Sequence, residues 1–221
     1  MQVAHLCLSR LEGHGLEVEG CADFERVPEL ISQSPKDYLT PKLSPGFNDF
    51  TRESAFWLFL RKEGEVVGGV GARLDDLGSE PVSAYWRRTH NRQYPIQSGA
   101  AIASIDERVD QFIGGKLVYI GDLFVAPGLS VKRSVSRPLV HFLYALILDK
   151  WTFDYAYSFV RDADLIRGAQ YQYGMSRTFL WPQTWVSPPP APRANSECLL
   201  YAGKDDLAIG LSKLAAAPDK L

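Results

Sequence analysis

The chain has 221 residues, 46% hydrophobic and 23% charged, with a net charge of −2, enough for one large or two small globular domains with a sizeable core. A pI near 6.1 leaves no global field to attract nucleic acid or an anionic membrane, and the longest apolar run, residues 139–148, is about half of what a membrane span needs. Three scattered cysteines, Cys7, Cys21 and Cys198, suggest neither a disulfide framework nor a metal site, and no apolar segment of signal-peptide length opens the chain, so a cytoplasmic protein without metal is expected.

Residues 3–8 alternate weakly and predict a first strand, and Leu16-Glu17-Val18-Glu19 a second. Phe24, Val27, Leu30 and Ile31 follow at helical spacing, with Pro28 tolerable in a first turn. Ser34-Pro35, Thr40-Pro41 and Ser44-Pro45-Gly46 then break the chain three times, because each residue before a proline is pushed out of the helical region. Residues 56–60 and 65–74, separated by Arg61-Lys62-Glu63-Gly64, predict an antiparallel hairpin. Its second strand carries Gly68, Gly69 and Gly71, which mark either a close approach to the backbone or a bulge. Residues 75–115 exceed any hairpin connection and predict an insertion containing a helix. Within it Tyr85, Trp86, Arg87, Arg88 and His90 admit two readings: an arginine-lined site for an anionic or carboxylate-bearing acceptor, or a surface helix with two buried aromatics.

Residues 117–125 form a nearly continuous β-branched and aromatic run, the pattern of a strand covered on both faces. Ala126-Pro127-Gly128 closes it. Ser130, Lys132, Arg133, Ser134, Ser136 and Arg137 then crowd into eight residues before Pro138, which opens an apolar helix with Ser136 or Arg137 at its cap. The amino end of a helix leaves N–H groups unpaired and carries partial positive charge, so this loop suits phosphate; a solvated basic turn is the alternative. Residues 155–160 return as a second strand, making a right-handed βαβ crossover the economical reading. A short helix follows, capped by Asp162 or Asp164 and stopped by Gly174. Then come a strand within 175–186, a stiff proline-rich excursion at 187–196, a last strand at 197–203 and a terminal helix over 205–217.

The order of these pieces resembles the GNAT N-acetyltransferases: the hairpin 56–74, then Ile120-Gly121-Asp122-Leu123-Phe124-Val125-Ala126-Pro127, a loop, Leu139-Val140, and Ala169-Gln170-Tyr171-Gln172-Tyr173-Gly174-Met175, which is similar to the family's closing Tyr-x-x-x-Gly-Phe. The resemblance covers about residues 50–203 and implies an α/β domain over 1–221, with a mixed sheet splayed in its middle and an insertion between the third and fourth core strands. It further implies acetyl-CoA lying in the split as co-substrate and direct acetyl transfer to a small-molecule or peptide amine, with no nucleic acid or membrane partner; a homodimer is allowed. On that footing backbone N–H groups of Leu123, Phe124 and Val125 would hold the thioester oxygen, and Lys132, Arg133, Ser134, Ser136 and Arg137 the pyrophosphate. Tyr171 or Tyr173 would supply the thiolate's proton, and Asp122 or His90 would accept the amine's. The family's loop reads Gln/Arg-x-x-Gly-x-Gly/Ala, and neither glycine is present here. A GNAT-shaped binding protein that has lost coenzyme A and meets a partner through residues 84–94 is the competing expectation.

Overall fold

The computed structural model describes residues 2–36, 38–96, 99–129 and 132–221; Ser130 lies outside them, as do the side chains of Lys132 and Arg133. The first segment is a helix, α1 (Gln2–Glu12), where alternation predicted a strand. Val3, Cys7 and Leu11, four residues apart, are its buried face, so the period of 3.6 prevails over a short apparent period of two. β1 (Glu17–Cys21) and α2 (Arg26–Ser32) come next, followed by 3₁₀ turns at Pro41–Leu43 and Pro45–Phe47.

β2 (Ala55–Lys62) and β3 (Glu65–Asp76) form the expected hairpin. Glu63 (φ 53°) and Gly64 (φ 88°) are both left-handed, the geometry of a tight two-residue turn whose twist matches the strands. The insertion contains α3 (Val82–Gln93) and β4 (Ile102–Ile105). β5 (Lys116–Val125), α4 (Lys132–Lys150) and β6 (Tyr155–Arg161) make the crossover, with β5 and β6 parallel. α4 starts six residues before Pro138, which sits inside the helix instead of opening it. The apolar face Val135, Leu139, Leu143 and Ile147 holds the extra turn against the sheet, at the loss of one ladder hydrogen bond to the proline.

The predicted single helix to Tyr173 is two short ones, α5 (Asp162–Ile166) and α6 (Ala169–Tyr173), separated by left-handed Gly168 and ended by left-handed Gly174. Residues 175–186 hold two strands in different sheets, β7 (Arg177–Phe179) and β8 (Gln183–Trp185), turning at Trp181 (φ 49°). β9 (Glu197–Gly203) and α7 (Lys204–Ala216) end the chain.

The main sheet runs β1-β2-β3-β5-β6-β9-β7, and β4 pairs β8 beside it. Its two faces bury separate cores. Phe56, Leu58 and Leu60 of β2 point to the side covered by α1, α4 and α7, while Ala55, Trp57 and Phe59 point to the side covered by α2, α3 and the β4–β8 pair. No described helix is long and apolar enough to cross a membrane.

Candidate active site

β5 and β6 pair only from Leu117–Tyr155 to Tyr119–Tyr157. Beyond Tyr119 the strands diverge, so β5 keeps a partner only on its β3 side and the backbone donors facing β6 lose theirs. In the same stretch Gly69 opposes Phe124 and Gly71 opposes Gly121, which leaves Asp122 and Leu123 together facing Val70. That is a β-bulge, with Asp122 at φ 55°. The β3 glycines admit close neighbours here: Gly68 and Gly69 lie against Phe124 next to the bulge, and Gly71 against Trp57 and Leu43. A Cβ on Gly69 would lie 2.8 Å from the Phe124 ring, and one on Gly71 would lie 2.7 Å from Trp57 Nε1.

The divergence opens a cleft of 310 Å³ that passes between the two faces of the sheet. Val140 and Tyr144 of α4, Tyr173 and Met175 line it from one side; Lys36, Tyr38, Thr40, Arg193 and Glu197 line it from the other, with Asp122 between. The Asp122 side chain is 1% exposed. It pairs with Lys36 Nζ at 2.8 Å, and the Thr40 amide donates to both its oxygens at 3.2 and 3.3 Å. Burial raises its pKa above the ordinary carboxylate value, and the Lys36 ammonium and these hydrogen bonds oppose that rise. Glu197 is likewise raised by burial and restrained by Arg193, whose Nη1 lies 3.1 Å from Glu197 Oε1. Burial also raises the Tyr173 phenol.

Neither a family model nor a curated protein matches this chain. Solved structures do. An agmatine N-acetyltransferase is 13% identical, with 86% of this chain and 99% of that one covered at a TM-score of 0.51. Drosophila melanogaster polyamine N-acetyltransferase, described as forming N-acetylagmatine, is 13% identical over 85% and 99% at 0.51. Arabidopsis thaliana NAA60 in complex with acetyl-CoA is 14% identical over 86% and 99% at 0.46. The chain has the GNAT N-acetyltransferase fold.

Within the GNAT fold the predicted residues separate. Asp122 and Leu123 line the cleft; Phe124 and Val125 continue β5 beyond it. Tyr173 lines the cleft, whereas Tyr171 is 74% exposed outside it, in a groove between α4, α6 and α7, beneath the Arg137 guanidinium at 4.8 Å. Arg137 belongs to that groove too, because the early start of α4 turns it toward α6. Ser134 Oγ lies 3.3 Å from His14 Nε2, and Ser136 Oγ accepts from Gln172 Nε2, so both hydroxyls sit in the opening turns of α4. The helix's amino end is at Lys132, and the unpaired N–H groups proposed for phosphate belong there, not at Pro138.

His90 is fully buried, against Lys42 Nζ and the Trp185 ring, and has no surface on the cleft. Burial and the neighbouring Lys42 hold it well below the usual histidine range, which suits a neutral core imidazole. Tyr85 and Trp86 are also core. The Tyr85 hydroxyl accepts from Arg73 at 2.8 Å, and Trp86 Nε1 donates to the Tyr157 hydroxyl at 3.3 Å. Arg87 and Arg88 are on the surface, the latter paired with Glu80 at 2.7 Å. Residues 85–88 thus stand behind the cleft wall, because the amphipathic face of α3 is spent on the core.

Lys36, Arg193 and Glu197 reach the cleft without having been singled out from the sequence. The first two stand in proline-punctuated loops, at residues 34–46 and 187–196, whose course across the cleft mouth carries no local signal. Among the described residues no group of three His, Cys, Asp or Glu could hold a metal ion.

Proposed function

We propose that this chain is an acetyl-CoA-dependent N-acetyltransferase in which an amine attacks the thioester directly. The observation that carries this reading is the Asp122 carboxylate, held on the bulge where β5 leaves β6, inside a cleft open to both faces of the sheet. The residues present suit the co-substrate. The unpaired β5 edge offers backbone N–H groups to a thioester oxygen as it takes up charge. The amino end of the 19-residue α4 offers N–H groups and dipole to the pyrophosphate. Acetyl-CoA supplies the activated acyl group.

In the reaction Asp122 takes a proton from the acceptor ammonium, directly or through one water, and passes it to solvent. The freed amine forms the C–N bond and the C–S bond breaks; Tyr173 gives its phenolic proton to the departing thiolate, and the excess proton on the newly acylated nitrogen returns to Tyr173, leaving the neutral amide and the free thiol. The acceptor, a small molecule or the end of a peptide, enters on the side of Lys36 and Arg193, opposite Tyr144 and Tyr173. Calorimetric titration of the full chain with acetyl-CoA, followed by thiol release on adding amines, tests this. Saturable binding and amine-dependent release are expected. No binding at millimolar acetyl-CoA would leave the GNAT-shaped binding protein, the reading that the absent loop glycines favour.

A further inference from the structure

Arg193 is the cleft residue whose bonding is least complete. Its side chain is 7% exposed, and Nε and Nη1 are sealed from solvent without a hydrogen bond; its charge partner, Glu197 Oε1, is 3.1 Å from Nη1 but out of line for one. The other Glu197 oxygen is taken by Trp185 Nε1 at 3.4 Å. A guanidinium carries five donors, and leaving them unmade away from water is costly.

A structural buried arginine in this same chain is more fully bonded. Arg73, whose side chain is 2% exposed, donates from Nη1 to the Lys42 carbonyl and Asn48 Oδ1 and from Nη2 to the Tyr85 hydroxyl, at 2.7 to 2.8 Å, and leaves only Nε, which faces Asp75 at 3.0 Å, without a hydrogen bond. The other two cations of the cleft are committed as well, Lys36 to Asp122 at 2.8 Å and Arg161 to Asp164 at 2.9 Å. Among the described cations of the cleft wall, Arg193 alone combines deep burial with donors that make no hydrogen bond; the Thr40 and Tyr144 hydroxyls, also buried there without a partner, carry no charge.

We propose that the acceptor of this enzyme is an amine that also carries a carboxylate, the carboxylate seated on Arg193 while the amine lies at Asp122. The inference rests on the acetyltransferase reading above and names the substrate class for the same cleft. A planar, singly charged carboxylate matches the guanidinium fork. A doubly charged phosphate would instead meet Asp122, Asp164 and Glu197 on the surrounding walls. The 310 Å³ of the cleft suits a small acceptor. Arg193 and Asp122 line the same cleft, which places a carboxylate subsite and the proposed base in one site.

The test is calorimetric titration of the full chain, saturated with coenzyme A, with a panel of free α- and ω-amino acids and their methyl esters, which keep the amine and lose the charge. At least one acid is expected to bind about tenfold or more tightly than its ester, as a charge-assisted contact requires. Arg193→Gln should erase that preference and Arg193→Lys keep part of it. Because the single change leaves Glu197 buried without a partner, Arg193→Gln combined with Glu197→Gln repeats the measurement without a lone buried charge. Equal binding of acid and ester, no binding by any panel member, or an undiminished preference in the folded double variant overturns the carboxylate assignment alone. Failure of coenzyme A itself to bind overturns the acetyltransferase reading beneath it.

Discussion

The Asp122 carboxylate meets the Lys36 ammonium at 2.8 Å with the two side chains only 1% and 9% exposed. The residues are 86 positions apart in the chain, and their pairing ties the proline-broken loop after α2 to the bulge in β5. A carboxylate so placed is neither fully neutralised by burial nor held low by water. Burial raises its pKa and Lys36 restrains it.

Asp122→Asn keeps size and the Thr40 amide's acceptor but removes the base. Amine-dependent thiol release should fall on the order of 10²- to 10⁴-fold, with acetyl-CoA affinity little changed. In the unsubstituted protein kcat/KM should rise with pH along an acidic limb above the free aspartate value of 3.8, because the base works only when deprotonated. Activity retained in the Asn variant would assign the base elsewhere.

Lys36→Met removes the ammonium that opposes the effect of burial. The Asp122 pKa should climb further, so the acidic limb of kcat/KM moves to higher pH while the plateau is kept. A limb that stays in place would mean another group titrates in it.

The two tyrosines separate cleanly. Tyr173→Phe should lower kcat on the order of 10²-fold with a small effect on KM, since this phenol faces the cleft. Tyr171→Phe, at a site 74% exposed, should leave turnover unchanged and stability within about 0.5 kcal/mol. The reverse result would exchange their roles.

Gly71→Ala places a methyl 2.7 Å from Trp57 Nε1 and 2.9 Å from Leu43 Cδ1, both buried. Overpacking there should cost about 1 to 3 kcal/mol in urea unfolding. An unchanged midpoint would show that Gly71 is not held in close contact with Trp57 and Leu43.

His141 is buried beside Gly174, its pKa lowered to about 4 by burial, with Nδ1 2.8 Å from the Arg137 carbonyl. The unfolded chain takes up this proton near 6.5 and the folded chain only near 4. Its contribution is therefore intact above 6.5 and lost as pH falls from there toward 4, with a limiting slope of about 1.4 kcal/mol per pH unit. His141→Asn should flatten urea-unfolding stability across that window; an identical pH profile would place the titration on another group.

The hairpin, the β5–α4–β6 crossover and the Gly174 stop were legible because each is a local pattern: alternation flanking a tight turn, a run of β-branched residues, a left-handed glycine after a helical stripe. α1 was misread because six residues are too few to separate a period of two from one of 3.6 when the apolar positions fall on both. The start of α4 was misplaced because Pro138 normally marks a first turn, and only the packing of Val135 shows that the helix extends ahead of it.

By itself the sequence determined the hairpin, the strand carrying Asp122 and the helix after it, because periodicity and turn chemistry act between near neighbours, while the splay of the sheet was implied only by the resemblance to the GNAT family. Only the tertiary structure decided which polar groups face the split. It sent His90, Tyr85 and Trp86 into the core and brought Lys36, Arg193 and Glu197 to the cleft from loops with no local pattern. Whether a charged side chain is buried, paired or left open is settled by what lies against it in space, and those neighbours are dozens of residues away in the chain.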